Sequence, residues 1–135
     1  MNSSPATNVA ALILRIALGT LFLAHDAVKI FIFTPAGTVG FFHSLGLPAE
    51  LAYLVMTAEL VGGLMLIFGI WTRWAALALI PLLLGTILFV HGANGWLFTN
   101  KGGGWEYPAF WSIALLVQAL IGDGVWALRP SPART

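Results

Sequence analysis

Apolar positions fall into four long runs, at about 9–30, 51–71, 74–92 and 108–128, separated by short stretches where polar residues, glycine and proline gather. Each run is close to the ~20 residues that an α-helix needs to cross a hydrocarbon core. The few polar positions inside the runs recur at helical spacing. At an advance of about 100° per residue, Arg15, Gly19, Phe22, Asp26 and Lys29 share a stripe roughly 80° wide on the first helix, with His25 at its border. Glu59, Gly63, Leu66 and Ile70 share a face of the second, where Gly62 and Gly63 let a neighbouring backbone come close. On the fourth, Ser112, Leu116, Ala119 and Asp123 form one stripe and Gln118 lies off it.

The breaks between runs carry their own signals. Gly46-Leu47-Pro48 opens the second helix, because proline suits a first turn whose N–H has no partner. The tight link Trp71-Thr72-Arg73-Trp74 makes the second and third helices antiparallel neighbours, and Pro81 predicts a kink in the third. The segment 38–45 is too short to span and too apolar to float, so it predicts a short helix lying in the membrane interface. Between the third and fourth helices, Gly102-Gly103-Gly104 among Trp96, Phe98 and Trp105 predicts a flexible, membrane-contacting loop able to act as a lid. The tail 129–135 reads as loose. The fold expected is all-α, an integral membrane four-helix bundle forming one domain over 1–135, with a short interfacial helix between helices one and two.

Composition makes lipid the solvent. Only 8% of residues are charged and 59% are hydrophobic, against about 25% and about 45–50% in soluble domains. A net charge of +1 from scattered Lys and Arg gives nucleic acid nothing to bind, so no such partner is expected. The absence of cysteine excludes disulfides, thiolate metal sites and dithiol relays within the chain. No basic residue precedes the first run and Arg15 lies inside it, which reads as a retained helix rather than a cleaved signal. Arg15, Arg73, Arg129 and Arg134 against Lys29 and Lys101 orient both termini to the cytoplasm, in an inner (plasma) membrane. Trp71, Trp74 and Trp126 then belt the inner edge, and Tyr53, Trp96, Trp105, Tyr107 and Trp111 the outer one.

Charged groups at mid-membrane are costly enough to face the interior and find partners. Counted along the helices, Arg15 and Asp123 both lie roughly 22 Å from the outer ends, which predicts a structural ion pair. Glu59 lies roughly 12 Å down, near His25 and Asp26, with His91 and Glu106 above. These groups predict an outer cluster in which Glu59, His25 and Asp26 are the candidate catalytic residues, and Lys29, His91, Glu106 and Tyr107 the candidate substrate-binding ones. Glu59 is the strongest candidate, as a lone acid within a span. Lys29 has the alternative of snorkelling to the interface, and His43 reads as a surface residue. His25 and His91, on different helices at similar depth, also have the placement of haem ligands or, with carboxylates, metal ligands. No close-spaced ligand motif accompanies them, so no metal site and no cofactor bound within the chain is expected.

Arg15-x3-Gly19 leading into Leu23-Ala24-His25 and Lys29, then Leu45-Gly46-Leu47-Pro48, Ala58-Glu59 with Gly62-Gly63, Gly69-x2-Thr72-Arg73 and Glu106-Tyr107-Pro108, taken in order, resemble the DoxX family. The resemblance implies a four-helix membrane protein of bacterial or archaeal type, related to the membrane subunit of thiosulfate:quinone oxidoreductase and carrying the oxidoreductase label. One departure is Asp26, where the family usually has glycine after the histidine of helix one. The function expected is a membrane oxidoreductase subunit in quinone-linked electron transfer, with Glu59 and His25 exchanging the protons that quinone reduction consumes. Quinone is the expected acceptor and a soluble or membrane redox subunit the expected partner, with assembly as a homo-oligomer left open. The alternative is a non-catalytic organiser or small-molecule transporter whose polar core only binds.

Overall fold

A computed structural model describes residues 3–132; Arg134, counted above among the inner basic residues, lies outside them. The chain runs through α1 (Pro5–Ala27), α2 (Thr34–Ser44), α3 (Ala49–Phe68), α4 (Thr72–Thr86) and α5 (Glu106–Ile121). A π turn, Val28–Ile32, extends α1, and a second, Ile87–His91, followed by the 3-10 turn Gly92–Asn94, extends α4. Three of the resulting stretches, Pro5–Ile32, Ala49–Phe68 and Thr72–Asn94, are long and apolar enough to cross a membrane. This is a membrane protein, built from helices.

Local chemistry sets the ends of these helices. The Ser4 hydroxyl accepts the Thr7 N–H at 3.1 Å and Pro5 follows at the first position, so α1 starts with a cap and a proline where each is favoured. At the other end of the next long helix, Gly69 takes φ 67°, the Ile70 N–H reaches the Met65 carbonyl at 2.8 Å, and Gly69 N–H reaches that of Leu66. That paired bonding is the Schellman stop, which needs a left-handed residue and therefore favours glycine. Helix α4 runs on through Pro81 to Thr86. The fourth predicted helix is shorter than its apolar run: it ends at Ile121 rather than 128, because Gly122 and Gly124 adopt φ of 90° and 72° and turn the chain.

Helices α1, α3, α4 and α5 each pack on two others of this set, in the closed order α1–α3–α4–α5. Their shared core includes Leu18, Phe22, Leu66, Ala76, Leu79 and Leu115. The α1–α3 crossing is the tightest, since a Cβ on Gly19 would stand 2.7 Å from the Gly63 carbonyl oxygen. The predicted stripe on α1 is confirmed, with Arg15, Gly19, Phe22 and Asp26 all buried. On α5 the phase differs from expectation: Gln118 is fully buried and donates to the carbonyls of Ala11 and Gly122, while Leu116 is exposed. Trp111 is likewise not in an outer belt but buried, its ring 4.5 Å from that of Phe22.

One end of the helices is sealed by polar groups. The buried Arg15 guanidinium donates to four carbonyls, those of Leu66, Ile67, Asp123 and Val125. Two of these, Leu66 and Ile67, belong to the last turn of α3, the negative end of its dipole. The Asp123 carboxylate accepts the Thr72 N–H at 3.0 Å and the Ser131 N–H at 2.9 Å. The expected Arg15–Asp123 ion pair is therefore replaced by two separate caps. Because α5 stops before Asp123, its backbone carbonyl faces Arg15 while its side chain reaches the positive N-terminus of α4. Arg73 adds a third cap, donating to the Ala119 carbonyl near the end of α5 at 3.1 Å. The tail also departs from expectation as far as Ser131: Leu128 N–H bonds the Phe68 carbonyl, Arg129 accepts from Trp71 N–H at 2.8 Å, and its guanidinium lies over the Trp71 ring.

Candidate functional site

At the opposite end, the helices part around a cavity of about 530 Å³. That volume lies within the ~300–1,000 Å³ range of small-molecule sites. Its walls come from the end of α1, from α2, the first half of α3, the second half of α4 and the start of α5. Most of the lining is apolar, including Phe42, Leu51, Val55, Leu83 and Phe89; the polar lining is His25, Lys29, Thr38, Glu59, Thr86, His91 and Tyr107. An apolar chamber with few convergent polar groups is what holds and orients a small molecule.

Two of those groups sit on π turns. Lys29 lies in the first, where the Phe33 N–H reaches back five residues to the Val28 carbonyl at 2.9 Å. The wider turn leaves the Lys29 carbonyl available, and the buried Thr38 hydroxyl donates to it at 2.9 Å, tying α2 to the end of α1. His91 lies in the second π turn. Such turns are rare and gather at functional sites.

Lys29 Nζ pairs with Glu59 Oε2 at 2.8 Å, joining α3 to the end of α1. Glu59 is 7% exposed, so this acid meets its partner away from lipid, as the mid-membrane argument requires. Lys29 thus forms a cross-helix ion pair rather than snorkelling. One turn before Lys29, His25 Nε2 stands 2.9 Å from the Tyr107 hydroxyl, and His25 Nδ1 stands 2.9 Å from the Leu21 carbonyl. A carbonyl only accepts, so Nδ1 carries the proton and Nε2 of the neutral ring accepts from the tyrosine. His91 Nδ1 likewise donates to the Gly103 carbonyl at 2.9 Å, which leaves its Nε2 as an acceptor. Both histidine rings neighbour that of Tyr107, at centroid distances of 6.1 Å and 6.3 Å.

The structure thus gathers Glu59, Lys29, His25, His91 and Tyr107 around one chamber. It leaves two expected members elsewhere. Asp26 is buried but does not line the cavity, and its Oδ1 has no hydrogen-bond partner among the described residues. Glu106, the first residue of α5, is turned to the loop: its Oε1 accepts the Phe98 N–H at 2.9 Å. That loop is stapled rather than slack, with Trp105 N–H on Gly95, Glu106 N–H on Trp96 and Gly104 N–H on Leu97, each at 3.0 Å. Among the described residues, no three His, Asp or Glu side chains gather as a metal site. Thr38 and Trp111 line the chamber without having been anticipated. Thr38 stands in a mostly apolar segment, and Trp111 follows Tyr107 by one helical turn.

Fold and site together define a helical membrane protein with a mostly apolar cavity among its helices. The chain belongs to the DoxX family, whose match covers residues 10–92 and so includes every chamber residue except those of α5. It is 35% identical over 122 residues to the protein named "Putative oxidoreductase CatD" of Bacillus subtilis (strain 168), covering 90% of this chain and 86% of that one. It is 33% identical over 116 residues to an uncharacterized protein of Haemophilus influenzae, covering 85% of this chain and 84% of that one. No solved structure matches the chain.

Proposed function

We propose that this protein is the membrane subunit of a quinone-linked oxidoreductase, and that the chamber receives the quinone head. The observation that carries the reading is the pairing of an apolar volume with two polar pairs that line it, Lys29–Glu59 and Tyr107–His25. Reduction of a quinone takes up two electrons and two protons. The electrons come from a partner redox subunit; the protons pass through groups able to hold and release them, Glu59 and the Tyr107–His25 pair. Lys29 and the Tyr107 hydroxyl are the donors that orient the ring oxygens, and the oxidoreductase name of the Bacillus relative agrees with this chemistry. In the same reading α5 crosses the membrane beside α1, α3 and α4, completing a four-helix bundle. Its 16 residues are prolonged by the segment that Arg15 and Asp123 fasten at the cytoplasmic side. Both termini face the cytoplasm, α2 lies in the outer interface, and the membrane is the inner one.

Replacing Glu59 with Gln keeps the shape and removes the exchangeable proton. Quinone reduction, measured in membranes containing the whole complex, is expected to fall by about 100-fold or more. The Lys29→Gln, Glu59→Gln double variant removes both charges together and guards against misfolding caused by an unpaired lysine. Full activity in a folded Glu59→Gln variant would take the acid out of the reaction.

A further inference from the structure

The chamber has two sides, and they are closed to different degrees. Toward the polar groups stands the stapled loop, held to the chamber wall by His91 Nδ1–H on the Gly103 carbonyl and by Asn94 Nδ2–H on the same oxygen. Elsewhere the wall is open. Helix α2 packs on α3 and on the π turn that ends α1, but makes no substantial packing with α4, although residues of both line the chamber. Four lining residues, from α2 and the turn before it, α3 and the end of α4, are exposed and apolar: Leu54 is 62% exposed and Phe33 59%, with Phe41 and Phe89 about half exposed. None of these four is polar, and a mouth fed from water would be rimmed by groups that hold water.

The charges inside narrow the occupant further. Lys29 is already matched by Glu59 at 2.8 Å, so the pair presents no net charge, and the nearby Asp26 carboxyl adds no cation. An anionic headgroup, such as a fatty-acid carboxylate or a lipid phosphate, would enter a mostly apolar site beside an acid and without an unpaired Lys or Arg, which is strongly unfavourable. A neutral headgroup with acceptor oxygens meets donors at Lys29 and Tyr107 and suffers no such penalty.

We infer that the chamber is entered sideways from the bilayer, between α2 and α4, and that it takes an uncharged amphiphile whose apolar tail stays in the mouth formed by Phe33, Phe41, Leu54 and Phe89. The inference deepens the quinone reading and rests on it for the headgroup's identity, while the route and the charge rule stand on the geometry of the mouth.

The chain has no cysteine, so a single introduced one reports its own surroundings. Nitroxide labels at Leu54→Cys and Phe89→Cys, in the full chain reconstituted in lipid nanodiscs, are expected to collide with dissolved oxygen and hardly with a water-soluble nickel chelate. They should match a label at the exposed α5 position Ile113→Cys and oppose one at Trp96→Cys in the loop. Nickel collisions at Leu54 and Phe89 equal to those at Trp96 would overturn the lipid route. Adding a decyl-tailed benzoquinone or a long-chain methyl ketone is expected to cut oxygen collisions at Leu54 by half or more, and oleate to leave them unchanged. An equal response to oleate would overturn the charge rule, and no response to either neutral amphiphile would overturn the occupant. A response to the ketone without one to the quinone would refute the quinone reading and leave the neutral-amphiphile inference standing.

Discussion

The two ends of the helices use the same kinds of residues in opposite ways. At the end holding Arg15 and Asp123, charged side chains meet backbone: a guanidinium on the last carbonyls of α3, a carboxylate on the first N–H of α4, Arg73 on the last turn of α5. At the chamber, charged and polar side chains meet one another across helices, Lys29 with Glu59 and Tyr107 with His25. Backbone partners are fixed by the helices themselves, so groups spent on them are committed to holding the fold. Side-chain partners can be exchanged for a ligand. Buried charge alone therefore does not mark a site in a membrane protein; what it touches does.

Substitutions at the two ends should separate in what they change. The largest effect is expected from Arg15→Met, which strips four carbonyls of one charged donor and should lower stability by about 3–5 kcal/mol. Thermal melts followed by tryptophan fluorescence would measure it, and whatever variant protein remains folded should bind quinone normally. Tyr107→Phe should do the reverse, weakening quinone binding about ten-fold, or about 1.4 kcal/mol, with a small loss of stability from the missing bond to His25. A titration of the purified variant gives the first number and a melt the second. The smallest effect belongs to Asp123→Ala, where the missing cap on α4 should cost about 1 kcal/mol and leave binding untouched. If Asp123→Ala weakened quinone binding as much as Tyr107→Phe does, the division of labour between the two ends would be wrong.

Much of this division could be read from the residues, and the parts that could not share a cause. The three long spans were legible because a membrane demands about 20 apolar residues in a row, and the buried face of α1 because four of its positions repeat at helical spacing. Depth and phase grouped His25, Lys29, Glu59 and His91, which do line the chamber, together with Asp26, which does not. The Arg15–Asp123 pairing failed where helical phase was carried past the true end of α5, across Gly122 and Gly124; the Gly-Asp-Gly triplet was the missed signal. Gln118 was misplaced on the same helix although its amide, deep in an apolar run, needed buried partners and found them on Ala11 and Gly122. The π turns had no signal at all. Val28–Ile32 and Ile87–His91 are unbroken apolar sequence apart from the one functional residue each carries, and tertiary packing rather than propensity decides such a turn.

Those two wide turns have a mechanical meaning. Each holds one residue more than an α turn, and a surplus residue is transferable: passed to the next turn, it rotates the side chains in between by about 100° while the helix axis stays where it is. Lys29 and His91 each sit in such a turn, so their aim toward the chamber differs from what an unbroken α-helix would give them.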